Sequence, residues 1–96
     1  MNILIVKLSA IGDVVHTLPS LTALRSLYPN AHISWVVEES ASDIIKGHPH
    51  LDRVIISHRK RWIQSLKVPH TLKDTMEEIR FFIKTLRDRR YDLAID

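Results

Sequence analysis

The chain has no cysteine and only two glycines in 96 residues. Without cysteine there is no disulfide scaffold, no thiolate zinc site, no cysteine nucleophile and no iron–sulfur cluster. Gly12 and Gly47 are too few for the dinucleotide-binding fingerprint, which alone needs three glycines. Aromatic residues make up 6% of the chain, so no stacking platform for nucleic-acid bases accompanies its basic segments. No apolar run approaches the roughly 18 residues of a membrane span. The first residues do not read as a signal peptide, because Lys7 and Asp13 cut the apolar stretch and no charged segment precedes it. Cytoplasm is the expected compartment.

What is present is ordinary for a globular protein: 45% hydrophobic and 26% charged residues, in a length that suits one small domain over residues 1–96. Fourteen Lys and Arg face eleven Asp and Glu, a net charge of +3 with six His in reserve. That balance permits an anionic partner without demanding one.

The patterning alternates between strands and helices. Asn2 to Lys7 is a short run rich in β-branched residues, the signature of a strand buried on both faces. A loop with small residues, 8–13, leads to Val14–Tyr28, with Val14, Leu18, Leu21, Leu24 and Leu27 at helical spacing. Pro19 is expected to kink that helix or to open its main segment. His32–Glu38 predicts a second strand, and Ser40–Lys46 a short helix capped by Ser40 or Ser42 and closed near Gly47. Leu51–Ser57 predicts a third strand. His58–His70 is basic, with Trp62, Ile63 and Leu66 spaced as a short amphipathic helix. Thr71–Arg90 predicts a long helix capped by Thr71, its apolar positions Leu72, Met76, Ile79, Phe82, Ile83 and Leu86. Tyr91–Asp96 begins a fourth strand. This order implies an α/β fold, a Rossmann-like parallel sheet with right-handed crossovers and helices on both faces. The chain stops as a strand finishes, where open α/β sheets place their ligand crevice, so it reads as one domain of a larger enzyme.

Lys7 to Asp13 lies at the carboxyl end of the first strand, where this fold class places function. Gly12 permits a tight turn and close backbone approach. Asp13 stands near the start of a helix, where a carboxylate repels phosphate and satisfies the free amides itself. It is then a helix cap or a base, and from spacing alone the cap reading is the stronger.

The series Lys7, Ser9, Gly12, Asp13, His16, Thr17, Leu18 and Pro19 resembles the opening of the ADP-heptose:lipopolysaccharide heptosyltransferases, glycosyltransferase family nine. The likeness continues through Trp35–Glu39, Arg53–Ile55, Arg61-Trp62 and Tyr91–Asp96, so it covers essentially the whole chain. It is nearest to the branch that adds the first heptose to the Kdo sugars of the inner core. The resemblance implies the N-terminal, acceptor-binding half of a two-domain GT-B enzyme, the C-terminal donor domain lying beyond Asp96. It implies an inverting displacement with Asp13 as general base, ADP-heptose as donor, a lipid-linked Kdo acceptor and no cofactor or metal. This piece alone is then expected to be inactive.

His58-Arg59-Lys60-Arg61-Trp62 suits the anionic acceptor, because guanidinium groups pair with carboxylates and phosphates and an indole stacks on a sugar face. Lys60, Arg61 and Trp62 are its candidate contacts, with Lys7, Ser9, Gly12, His16 and Glu39 at the first site. Lys60 stands where the family tends to use arginine, which weakens a two-pronged contact there. The bland alternative is a solvated basic loop with Trp62 packed on the sheet edge. The same segment implies peripheral contact with the cytoplasmic face of the inner membrane. Glu38 or Glu39 is expected to face the cleft and pair with a basic group. His48 and His50 lack a third ligand and read as a turn. Two rival functions remain: a stand-alone nucleotide-binding module, against which the missing glycine-rich loop speaks, and a basic membrane- or nucleic-acid-binding adaptor, for which +3 is modest.

Overall fold

The computed structural model describes residues 1–95, apart from the Pro69 side chain; Asp96, the expected end of the fourth strand, lies outside them. They form two compact units, one of Met1–Ser57 with the segment from Tyr91 onward, the other His58–Arg90.

The first unit is a four-stranded parallel sheet: β1 (Asn2–Val6), β2 (His32–Glu38), β3 (Arg53–Ser57) and β4 (Leu93–Ile95), in the order β3-β2-β1-β4. The expected α/β fold class is therefore the one observed. Strand β2 runs between β1 and β3 and is buried from Ile33 to Glu38, including Ser34 and Glu38. Ile3, Ile5, Ile33, Trp35 and Val37 share one face by the two-residue alternation of a strand. They pack in one core with Val14, Leu21 and Leu24 of α1 (Ile11–Leu27) and Ile45 of α2 (Ser42–Ile45). Register brings Ile5, Trp35 and Val54 side by side across three strands.

Several local expectations need correction. Helix α1 starts at Ile11, not Val14, and its N-cap is Ala10, so Asp13 is a first-turn residue and not the cap. Pro19 lies inside α1, which runs from Ile11 to Leu27, so it does not open the helix. Its missing N–H leaves the Val15 carbonyl without the usual helical donor, and both residues are exposed. Leu27 is exposed rather than core. Ser42 is not a cap either. Its hydroxyl donates to the Glu39 carbonyl at 2.8 Å, joining α2 to a 3-10 turn over Glu39–Ala41. Gly47, at φ 74°, does close this segment as expected, in the left-handed conformation that glycine adopts without steric cost. His48 and His50 form the turn into β3, the His50 amide lying 3.2 Å from His48 Nδ1.

The second unit is a helical hairpin of α3 (Arg59–Ser65) and α4 (Leu72–Arg87), joined through a 3-10 turn at Pro69–Thr71. Thr71 holds the N-cap position of α4, as expected, but makes no side-chain cap bond. Its hydroxyl donates backwards to the carbonyls of Ser65 (3.1 Å) and Val68 (3.0 Å), fixing the linker. Of α4 only Thr75 is buried; Leu72, Met76 and Ile83 are 42–49% exposed. The helix meets Trp62 of α3 through Glu78 and Phe82, one turn apart, and of these only Phe82 belongs to the expected apolar stripe.

Candidate functional site

The predicted residues fall into both units: Lys7, Ser9, Gly12, Asp13, His16 and Glu39 in the first, Lys60, Arg61 and Trp62 in the second.

In the first unit the loop after β1 is clipped to β2 through main-chain atoms. The Trp35 indole donates to the Lys7 carbonyl at 3.1 Å, the Lys7 amide to the Val36 carbonyl at 3.3 Å, and the Glu38 amide to the Leu8 carbonyl at 2.9 Å. A core tryptophan therefore fixes the backbone from which the candidate site rises. Beyond it Ser9, Gly12, Asp13 and His16 are all exposed. Val14 is the buried residue that seats the first turn, its amide bonded to the Ala10 carbonyl at 3.0 Å. Thr17 bonds back to the Asp13 carbonyl at 2.8 Å. Among the described residues the Asp13 carboxylate accepts no hydrogen bond. Gly12 departs from expectation: it is helical, and a Cβ there would meet nothing within 4 Å, so no tight turn or internal approach requires glycine. Glu39 is exposed at the head of the 3-10 turn, whereas Glu38 is 3% exposed.

In the second unit Trp62 is 8% exposed and makes no open platform. Its ring meets Phe82 edge-on at 5.3 Å and His58 at 5.9 Å, and its indole N–H donates to Glu78 Oε2 at 2.9 Å. The same carboxylate takes Arg61, whose Nη2 lies 3.1 Å from Oε2 and 3.2 Å from Oε1. The Trp62 bond, and then the Arg61 charge, hold the Glu78 carboxyl below its ordinary value. Glu78 is the residue that sequence reasoning missed. The available signal was its helical phase: it lies between Thr75 and Phe82, where an acid would be anomalous without a partner. Among the described residues no cluster of three His, Asp or Glu side chains is placed to hold a metal ion, and no helix is long and apolar enough to cross a membrane.

No protein-family model matches the chain. Individual proteins do. The lipopolysaccharide heptosyltransferase 1 of Pseudomonas aeruginosa is 42% identical over 96 residues, all of this chain and 26% of that protein. The chain is a relative of the lipopolysaccharide heptosyltransferases. The structure of Escherichia coli heptosyltransferase WaaC with ADP-2-deoxy-2-fluoro heptose superposes with a TM-score of 0.85 at 36% identity, covering 100% of this chain and 29% of WaaC. A glycosyl transferase family 9 protein from Veillonella parvula superposes at 0.67 with 25% identity, over 97% of this chain and 24% of its own. The chain thus spans between a quarter and a third of the length of these heptosyltransferases.

Proposed function

We propose that this chain is the N-terminal, acceptor-side domain of an inverting heptosyltransferase, which transfers heptose from ADP-heptose to the Kdo sugars of the lipopolysaccharide inner core. The observation that carries the reading is the likeness to WaaC along the whole chain.

In this mechanism the acceptor hydroxyl oxygen attacks the anomeric carbon of the heptose. The Asp13 carboxylate takes the hydroxyl proton as the new bond forms. The bond from the anomeric carbon to the diphosphate oxygen breaks, and ADP leaves with that electron pair. A positioned base contributes about 10²–10⁴-fold, or about 3–5.5 kcal/mol of barrier. Three features of Asp13 suit the role. It is exposed, it stands at the carboxyl end of β1, and among the described residues its oxygens accept no hydrogen bond. Lys7, Ser9, Gly12 and His16 surround it in sequence on the loop and first turns, and the backbone of Glu38, beside Glu39, is tied to that loop.

Lys60 and Arg61 supply cations for the acceptor's carboxylates and phosphates. Trp62 acts from inside the hairpin rather than as a stacking surface. Residues 58–90 hold ten Lys and Arg against four Asp and Glu, so this unit carries the basic charge of the chain. Each such residue near an anionic bilayer adds about 1 kcal/mol, which supports peripheral contact with the cytoplasmic face of the inner membrane. No cofactor takes part in this reading, and the ADP-sugar is held mainly by sequence outside this chain.

The test is acceptor-dependent ADP release by the full-length protein from ADP-heptose and a Kdo-bearing lipid, for wild type and Asp13→Asn. Asp13→Asn should slow release at least about 100-fold. Unchanged release in the variant would remove the base from Asp13, and no release by wild type would overturn the transfer itself.

A further inference from the structure

The pairing of Arg61 with Glu78 rather than with solvent bears on how an anionic acceptor is received. We infer that Glu78 is a positioning residue, a built-in counter-ion that occupies Arg61 at rest and is displaced by an acceptor carboxylate or phosphate, while Trp62 keeps the Glu78 side chain in place. The inference rests on the reading of Arg61 as an acceptor contact.

The geometry divides the two bonds of Glu78 by strength. The Trp62 bond is the shorter, 2.9 Å, and comes from a ring 8% exposed and wedged against Phe82. It is shielded from water and anchored by packing. The Arg61 contacts are longer, 3.1 and 3.2 Å, and the two side chains are 53% and 50% exposed. Only one guanidinium nitrogen, Nη2, takes part, so this is not the paired fork that makes arginine–carboxylate contacts strong. Half-exposed ion pairs of this kind are weak and exchange readily with another anion. Glu78 therefore holds the guanidinium in one region of α3 without closing it to a ligand. An arriving carboxylate exchanges one anion for another, and the released Glu78 remains tethered by the indole.

The test is the acceptor concentration for half-saturation, measured with the full-length protein in the ADP-release assay. Glu78→Gln keeps an oxygen for the Trp62 indole and removes the competing charge. The Trp62 indole N–H resonance, assigned through Trp62→Phe, verifies that the hairpin is intact in the variant. Half-saturation by acceptor should fall about 1.5–5-fold in Glu78→Gln, the energy range of an exposed ion pair. The ADP-heptose requirement and kcat should not change. In an Arg61→Ala background the same substitution should have no effect on acceptor half-saturation. A merely structural Glu78 gives the opposite sign, weaker acceptor binding or lower kcat whether or not Arg61 is present, and that result overturns the inference. The two readings fail separately. If Arg61→Ala alone leaves acceptor half-saturation unchanged, the assignment of Arg61 falls and the inference with it. If Arg61→Ala weakens binding but Glu78→Gln does not tighten it, only the inference falls.

Discussion

Replacing Arg25 with alanine probes how the amino end of the sheet is held together, and the structure gives the magnitude. Arg25 sits in the last turn of α1. Its Nη1 donates to the Ala31 carbonyl at 2.7 Å and the Pro29 carbonyl at 3.2 Å; its Nη2 donates to the His50 carbonyl and to Asp52 Oδ2, both at 2.8 Å. One side chain thus joins the end of a helix to the entrances of β2 and β3. Asp52 completes the joint by accepting the Ile33 amide at 2.7 Å. Hydrogen bonds to a charged group contribute about 1.5–3 kcal/mol each, but bonds that share one guanidinium do not add. Because Asp52 is 40% exposed, the ion-pair part is held to under about 1 kcal/mol. Arg25→Ala should therefore cost about 2–4 kcal/mol, and Asp52→Asn, which keeps an acceptor for Ile33, about 1 kcal/mol.

The Asp52 effect carries a pH signature. Partial burial pushes its carboxyl up, but the Ile33 amide and the Arg25 guanidinium, with a smaller contribution from His32, pull harder the other way, so it stands below its ordinary 3.8. A carboxyl lowered in the folded state adds stability that is fully present above 3.8 and is lost as pH falls through the folded value. The lead of wild type over Asp52→Asn should thus be constant near neutrality and close below pH 3.8. Urea unfolding followed by tryptophan fluorescence reads both. An Arg25→Ala variant within about 0.5 kcal/mol of wild type, or a lead that survives acidification, would refute the reasoning.

Two glycine substitutions should behave in opposite ways. Gly47→Ala forces a side chain into φ 74° and should cost about 1 kcal/mol in the same unfolding assay, although open space surrounds the new methyl. Gly12→Ala is helical and unobstructed, so it should leave stability unchanged or raise it by up to about 1 kcal/mol. If Gly12 keeps room for an acceptor beside Asp13, the same variant should raise the acceptor concentration needed for half-maximal ADP release.

The strands were legible because burial and alternation act at short range. The expected span of β2 matches the observed His32–Glu38, and β1 and β3 differ only at their ends. Position was legible at the caps where bonding was not: Thr71 precedes α4 as expected but its hydroxyl turns back to Ser65 and Val68, and the Ser42 hydroxyl turns back to Glu39. Helical spacing identified α4 and included Phe82, which meets Trp62 of α3, but passed over Glu78, which carries no apolar signal. The loop at Lys7–Asp13 was placed at the end of β1 by topology, yet its anchor is Trp35, 28 residues on: a core residue whose indole reaches the Lys7 carbonyl. Nothing local in sequence encodes that bond.

The surroundings of three carboxylates, Asp52 before β3, Glu78 within α4 and Asp13 in the first turn of α1, separate them. Asp52 is held by an amide and a guanidinium, Glu78 by an indole and a guanidinium, and each is drawn below its ordinary value. Such a group is a poor proton acceptor, because taking a proton breaks the bonds that stabilise its charge. Asp13 has the other arrangement. Among the described residues its oxygens accept no hydrogen bond. With the cap position taken by Ala10, the carboxylate does not close the helix. An exposed carboxylate at the carboxyl end of β1, without a hydrogen bond among the described residues, is the arrangement on which the proposed role of Asp13 as general base rests.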